Sequence, residues 1–170
     1  MSRRLEVSDP EAMRELGGRL AALLRAGDLV LLAGPLGAGK TTLAQGLGAG
    51  LGVTGPVLSP TFVIARVHRG GRVPLVHVDA YRLGSVDEVD DLDLDASLDD
   101  SVTVVEWGTG LVEGLGEDRL EVRIDLAVGG ASDAAERSAG GVDADTDPRT
   151  VTITGVGLRW AGVDLSVLRR

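Results

Sequence analysis

The chain has 170 residues, of which 44% are hydrophobic, so it is long enough to bury the core of one domain. It contains no cysteine, which excludes disulfide bonds and thiolate metal sites. Its net charge of −9 argues against direct binding to nucleic acid, because such binding depends on cations that neutralise phosphates. We expect a single domain over residues 1–170, with any role on nucleic acid passing through a protein partner.

The N-terminal region predicts a strand followed by a helix. The strand spans residues 5–7, Ser8 or Asp9 is placed to cap the helix, and Pro10 suits its first turn. Leucines at helical spacing continue the pattern until Gly27, where the helix is expected to stop.

A glycine-rich loop lies between an apolar strand at residues 28–33 and a second helix at residues 40–51. The loop has the form G-x-x-x-x-G-K-T, whose backbone N–H groups cradle a phosphate chain. The expected phosphate-binding residues are Gly34, Gly37, Ala38, Gly39, Lys40, Thr41 and Thr42. A strand, a phosphate loop and a helix therefore follow one another in the order that the motif requires.

Lys40 is the only lysine among the seventeen basic lysine and arginine residues. A lysine is a compact point charge on a flexible stem, whereas arginine is a wide planar fork. In a phosphate loop the lysine reaches the β- and γ-phosphates, and the hydroxyl that follows it ligates Mg²⁺. The pattern thus predicts that Lys40 binds phosphate and that Thr41 is a metal ligand.

The rest of the chain predicts further strands and completes the fold class. Strands are expected at 62–67, 73–78, 102–105, 120–126 and 150–154, a hairpin turn at Gly70-Gly71, and a short acidic helix at 85–92. Residues 127–149 are mostly small and polar and predict a flexible insertion. We predict an α/β, P-loop NTPase-like three-layer domain with a central, mostly parallel sheet and a C-terminal β-hairpin.

Two carboxylates follow apolar strands, Asp79 in one case and Glu106 in the other. Ligands gather at the carboxyl ends of strands in such sheets, and a P-loop enzyme needs an acid there for Mg²⁺ or its water. Glu106 fits the pattern better because an unbroken apolar pair precedes it. Either acid could instead be an ordinary strand-end residue that pairs with an arginine.

The sequence leaves the roles of Thr61 and of the aromatic residues open, and it predicts a structural role for the histidines. Thr61, in the turn Ser59-Pro60-Thr61-Phe62, could contact Mg²⁺ or the γ-phosphate, or be an ordinary turn hydroxyl. The aromatic residues beside the acids could line a pocket, present a partner surface or pack the rim of the sheet. His68 and His77 lack metal-ligand spacing, so both are interpreted as structural.

The nucleotide is expected to be ATP. Guanine-specific proteins of this fold use an Asn-Lys-x-Asp string, and this chain contains no asparagine. It also shows no apolar stretch long enough to span a membrane and no signal-type segment, so a cytoplasmic location is expected.

Four motifs together resemble the TsaE family. They are G-x-L-G-A-G-K-T-T at 34–42, Ser-Pro-Thr-Phe at 59–62, His-Val-Asp-Ala-Tyr-Arg-Leu at 77–83, and Val-Glu-Trp at 105–107. The resemblance covers about residues 8–126 and the strand at 150, and it departs at Pro35, at Gly108 and in the insertion.

The resemblance implies an activity and its residues. It implies a Mg²⁺-dependent ATPase, weak alone, that acts on a complex of TsaD and TsaB in threonylcarbamoyladenosine modification of tRNA and meets tRNA only through that complex. Thr61 and Asp79 would line the active site, and Thr41 and Glu106 would be on the metal side. Arg149 is the nearest match to a basic residue that reaches the nucleotide from the last hairpin.

Two alternatives remain open from the sequence. A small-molecule kinase of P-loop fold is compatible with the chain length, although residues 127–149 carry only two arginines for a lid. An adaptor that binds ATP without hydrolysing it would use the nucleotide only to fix a binding surface.

Overall fold

The computed structural model of the chain describes residues 2–60, 64–81, 98–110, 116–126 and 148–169. The helices and strands within them are β1 (Ser2–Val7), α1 (Pro10–Leu23), β2 (Leu29–Ala33), α2 (Lys40–Leu51), β3 (Ala65–His68), β4 (Leu75–Asp79), β5 (Val102–Glu106), β6 (Arg119–Leu126) and β7 (Arg149–Val156). Two short 3-10 turns, Leu158–Trp160 and Leu165–Leu168, follow β7. The predicted helix at 85–92 and residues 127–147 of the predicted insertion lie outside the described residues.

In the described part of the chain, seven strands form one sheet in the order β1-β7-β6-β2-β5-β4-β3. The four strands β6, β2, β5 and β4 run parallel. Antiparallel strands flank them, with β7 and β1 on one side and β3 on the other. The α/β class, the mostly parallel centre and the C-terminal hairpin of β6 and β7 are therefore confirmed.

The central strand β2 is apolar on both of its faces. Val30 and Leu32 belong to the large core cluster that also contains the buried residues of α1 and α2. Leu29 and Leu31 belong to a second cluster on the opposite face, together with Val76, Val78 and Val105. Because side chains alternate along a strand, an unbroken apolar run of this kind is buried on both sides, as the middle layer of a three-layer fold requires.

The start of α1 was predicted correctly, and its end was not. Asp9 caps the helix, since its Oδ1 accepts a hydrogen bond from the Ala12 N–H at 2.8 Å. The helix ends at Leu23, before the expected stop at Gly27, and Leu24 has an extended backbone.

Two arginines that are distant in sequence bind the carbonyl groups at this end of α1. Arg72 donates to the carbonyls of Ala21 and Leu24, and Arg159 donates to that of Leu23 at 2.8 Å. Cations near a helix C-terminus satisfy its orphan carbonyls and complement the helix dipole. The helix end is thus set by tertiary contacts, which local sequence does not show.

Arg159 also makes a buried ion pair whose loss should be costly. Its guanidinium group donates to both carboxylate oxygens of Asp28, at 3.0 and 2.9 Å, and Asp28 is only 3% exposed. If Arg159 is replaced, the main-chain N–H of Arg25 is the one hydrogen-bond donor left to the Asp28 carboxylate among the described residues. We expect Arg159→Leu to lower the free energy of unfolding by about 3–5 kcal/mol, measured by urea titration.

The matched control is Arg123→Leu, which breaks an ion pair of the same type at the surface. Arg123 lies 2.9 Å from Asp125 and its side chain is 72% exposed. Solvent and salt screen such a pair, so the change should cost less than about 1 kcal/mol. Equal losses in the free energy of unfolding would show that breaking the buried ion pair costs no more than breaking the exposed one.

Candidate nucleotide-binding site

The loop between β2 and α2 is shaped by glycines with positive φ angles. Gly37 has φ of 75° and Gly39 has φ of 106°, a region that side chains with a Cβ rarely enter. Gly39 is also the N-cap of α2 and supplies no side chain to its open N–H groups. A helix N-terminus of this kind presents donors and positive dipole to an anion.

Lys40 is the first residue of α2 and folds back over the loop. Its Nζ donates to the carbonyls of Gly34 at 2.8 Å and Pro35 at 2.9 Å. Burial lowers the pKa of the Lys40 ammonium below its usual value, while the carboxylates of Glu106 and Asp79 act in the opposite direction. The ammonium is therefore partly desolvated and poised for a stronger negative partner than two carbonyl groups.

Glu106 at the end of β5 reaches the first turn of α2. The Thr41 hydroxyl donates to Glu106 Oε1 at 3.1 Å, which brings the two predicted metal-side residues into contact. The carboxylate is 3% exposed, and parallel pairing of β5 with β2 places it beside the start of the phosphate loop. The structure therefore brings Thr41 and Glu106 together at the start of α2.

Asp79 is the neighbour of Glu106 across the sheet. The two residues are paired in the register of β4 and β5, so their side chains leave the same edge of the sheet. Asp79 Oδ1 accepts a hydrogen bond from the Tyr81 N–H at 3.0 Å, which fixes the chain where it leaves β4. Asp79 is 8% exposed, and it lines the same cavity as Glu106.

His77 joins this group, although its sequence context predicts only a structural role. Its Nε2 lies 2.8 Å from Glu106 Oε1, and both side chains are almost completely buried. Side chains alternate along β4, so His77 and Asp79 point to the same face of the sheet. The spacing of two residues between His77 and Asp79 could have indicated this position, because it places the histidine on the same face of the strand as the acid at its end.

Two aromatic residues close one side of the site. The Lys40 Nζ lies 3.9 Å from the centre of the Trp107 ring, a cation–π contact. Tyr81 packs edge-on against Trp107, with ring centres 5.3 Å apart, and remains largely exposed. Of the three interpretations left open for the aromatic residues, the wall of the pocket is the one that fits Trp107.

Most of the predicted site residues line a cavity of about 280 Å³, whereas Gly34, Ala38 and Arg149 are not among its walls. Its walls are Leu36, Gly37, Gly39, Lys40, Thr41, Thr42, Ser59, Asp79, Glu106 and Trp107. A larger groove of about 590 Å³ lies between β1 and α1, but its lining includes none of the predicted site residues. The smaller cavity is the candidate site because the charged groups converge there.

Arg149 lies on the other side of the phosphate loop. It is buried at the start of β7 and lines a small space of about 40 Å³ with Gly37, Gly39 and Thr42. Thus the basic residue expected from the last hairpin adjoins the loop, although residues 127–147 separate it from β6 in sequence. Thr61 and Phe62 lie outside the described residues.

The residues of the cavity fit a magnesium–triphosphate group. Among the described residues, the main-chain N–H groups of Gly37 and Gly39 donate to no main-chain carbonyl group. They are therefore available to an anion. Mg²⁺ favours oxygen ligands and is commonly held by one or two protein groups together with phosphates. The Thr41 hydroxyl and the Glu106 carboxylate provide such oxygens 3.1 Å apart.

The parallel sheet, the loop after β2 and the helix that begins at the loop lysine define a P-loop-type α/β protein. Residues 7–133 match the profile of the family described as "Threonylcarbamoyl adenosine biosynthesis protein TsaE". The chain belongs to the TsaE family, whose members take part in threonylcarbamoyladenosine biosynthesis in tRNA.

Individual relatives agree with this assignment. The chain is 64% identical to the TsaE protein of Streptomyces coelicolor over 159 residues, which cover 92% of this chain and 99% of that protein. It is 37% identical to TsaE of Bacillus subtilis over 153 residues, covering 89% and 85% of the two chains. The crystal structure of YdiB from Bacillus subtilis superposes with a TM-score of 0.69 at 31% identity, over 94% of this chain and 89% of that one.

Among the described residues, no helix is both long and apolar enough to cross a lipid bilayer.

Proposed function

We propose that this chain binds Mg·ATP at the loop of residues 34–42 and hydrolyses it to support threonylcarbamoyladenosine modification of tRNA. The observation that carries the proposal is the contact between Thr41 and Glu106 beneath the loop, with Lys40 directly beside it. A phosphate-binding lysine, a metal-side hydroxyl and a buried carboxylate are among the groups that ATP hydrolysis on this fold uses.

Each group has a distinct role in the proposed reaction. The loop N–H groups and Lys40 hold the phosphate chain, and Lys40 exchanges its bonds to the Gly34 and Pro35 carbonyls for phosphate oxygens. Thr41 and Glu106 would hold Mg²⁺, which supplies charge neutralisation at the phosphates when bound. Glu106 and Asp79 would orient the attacking water, and Thr61 is proposed from sequence as the residue that senses the γ-phosphate.

The family membership supports a role for this hydrolysis in a larger assembly. We propose partners that resemble TsaD and TsaB, with tRNA reached only through them, and a cytoplasmic location. The net charge of −9 agrees with a protein that approaches the pathway through other proteins rather than through RNA phosphates.

Reconstitution with the partner proteins tests this proposal. The chain, TsaD and TsaB from the same organism are incubated with tRNA, ATP and the carbamoyl donor system, and the modified nucleoside is measured by mass spectrometry. We expect sustained modification over many turnovers with the wild type and none above background with Lys40→Ala. Equal modification with both proteins, or with the chain omitted, would contradict the proposal.

A pull-down from native cytoplasm, with and without ATP, examines the partners separately. We expect ATP to change the recovery of proteins resembling TsaD and TsaB. A phosphorylated metabolite formed from a cytoplasmic pool, without capture of these proteins, would favour the kinase alternative instead.

A further inference from the structure

His77 is a buried histidine whose only hydrogen-bonding partner among the described residues is Glu106. Its side chain is 0% exposed, and its Nε2 lies 2.8 Å from Glu106 Oε1. The other ring nitrogen, Nδ1, is buried and has no partner in the described part of the chain. A carboxylate only accepts hydrogen bonds, so Nε2 must carry the proton that is shared with Glu106.

Glu106 therefore receives two donors on the same oxygen. The Thr41 hydroxyl lies 3.1 Å from Oε1 and His77 Nε2 lies 2.8 Å from it, whereas Oε2 accepts no hydrogen bond from the described residues. Two donors that approach from different elements, α2 and β4, restrict the rotation of the carboxylate. Glu106, to which Oε2 belongs, lines the cavity together with Asp79 and residues of the phosphate loop.

We propose that His77 is a positioning residue that directs Oε2 of Glu106 toward the reacting phosphate and its water. This inference rests on the proposed ATPase function. Thr41 also belongs to the phosphate loop, whereas among the described residues His77 hydrogen-bonds to Glu106 alone. Groups behind a catalytic or metal-binding ligand orient it, and their loss commonly lowers activity or metal affinity by about 10- to 100-fold.

A purely structural histidine would fill space and satisfy a buried acid without affecting turnover. His77→Leu removes the N–H but keeps a side chain of similar bulk, while His77→Gln retains an N–H at about the reach of Nε2. We expect His77→Leu to lower kcat for ATP by at least about tenfold with KM within about twofold, and His77→Gln to recover most of kcat. KM is expected to stay because Lys40 and the loop N–H groups are untouched.

The chain's other histidine provides the matched control. His68 lies on the edge strand β3 and does not line the cavity, although it interacts electrostatically with His77. Because it makes no contact with Glu106, His68→Leu should leave both kcat and KM unchanged. Unfolding by urea is measured for all three variants, so that a loss of activity is compared only between folded proteins. Normal kcat in a folded His77→Leu protein would overturn the role of His77.

A double-mutant cycle shows whether His77 acts through Glu106. In a Glu106→Gln background, His77→Leu should produce little further loss of kcat, because the group that it positions is already altered. Independent, multiplying losses would overturn the proposal.

The tautomer provides a readout that needs no turnover. Long-range ¹H–¹⁵N spectra of the nucleotide-free protein should show His77 with its proton on Nε2 and a non-protonated Nδ1, and the Nδ1–H tautomer would overturn the inference. A wild type that hydrolyses no ATP, alone or with partners, would overturn the proposed function and the role of His77 together. An active wild type with an unaffected His77→Leu variant would overturn the role of His77 alone.

Discussion

Glu106→Gln is expected to reduce ATP hydrolysis sharply while the phosphate loop and Lys40 still bind the nucleotide. The glutamine carbonyl can still accept the hydrogen bonds from Thr41 and His77, so the shape of the site is retained. What disappears is the negative charge that would hold Mg²⁺ and act on the attacking water. A positioned acid or base typically contributes 10²- to 10⁴-fold, so we expect kcat to fall by at least about a hundredfold. Steady-state phosphate release and nucleotide titration measure the two effects separately.

Glu121→Gln is the matched control for this change. Glu121 is a partly exposed glutamate on β6 that pairs with Arg119 at 2.8 Å, and the same substitution there should leave kcat unaltered. A Glu106→Gln protein that releases phosphate at the wild-type rate would contradict the assignment of Glu106. A protein that turns over no ATP yet supports full tRNA modification would instead favour the non-hydrolysing adaptor.

Gly46→Ala is expected to lower the stability of the fold. The helices α1 and α2 pack closely, and a Cβ at Gly46 would overlap the carbonyl oxygen of Arg14. Alanine gains about 1 kcal/mol of helix propensity over glycine, which would favour the variant if the space were open. An overpacked contact costs about 1–3 kcal/mol or more, and a backbone carbonyl cannot move aside as a side chain can. Because the overlap is with backbone, the upper end of this cost, about 3 kcal/mol, applies, and we expect a net loss of about 2 kcal/mol in the free energy of urea unfolding.

The same change should disturb the nucleotide site, because α2 carries Lys40 and Thr41 on its first turn. A shift of α2 away from α1 would move both side chains relative to Glu106, so Mg·ATP should bind more weakly. Gly162→Ala is the control, since a Cβ there meets no atom within 4 Å. Equal stability of Gly46→Ala and Gly162→Ala would show that the helix crossing tolerates a methyl group.

Much of the fold could be predicted because its signals are local. The order of strand, loop and helix around Lys40 follows from the apolar run before the loop and the helical spacing after it, and α2 has the predicted bounds. The acids at the ends of β4 and β5 could be predicted because parallel strands bring their carboxyl ends to one edge.

Contacts between distant residues could not be predicted in the same way. His77 meets Glu106 across 29 positions of sequence, and their contact depends on the register of β4 with β5. The early end of α1 depends on Arg159, which is 136 positions from the Leu23 carbonyl that it binds. Gly46 has no local purpose in α2, since its small size is needed only because α1 crosses there.

Mg·ATP-dependent stabilisation of the wild type and of Lys40→Ala tests the central claim most directly. At a nucleotide concentration about one hundred times Kd, binding to the folded state alone should raise the free energy of unfolding by about 2.7 kcal/mol. The wild type should show this increase in urea titrations, and Lys40→Ala at the same concentration should lose most of it. Equal responses of the two proteins to Mg·ATP would contradict the assignment of the loop as the site that holds the triphosphate.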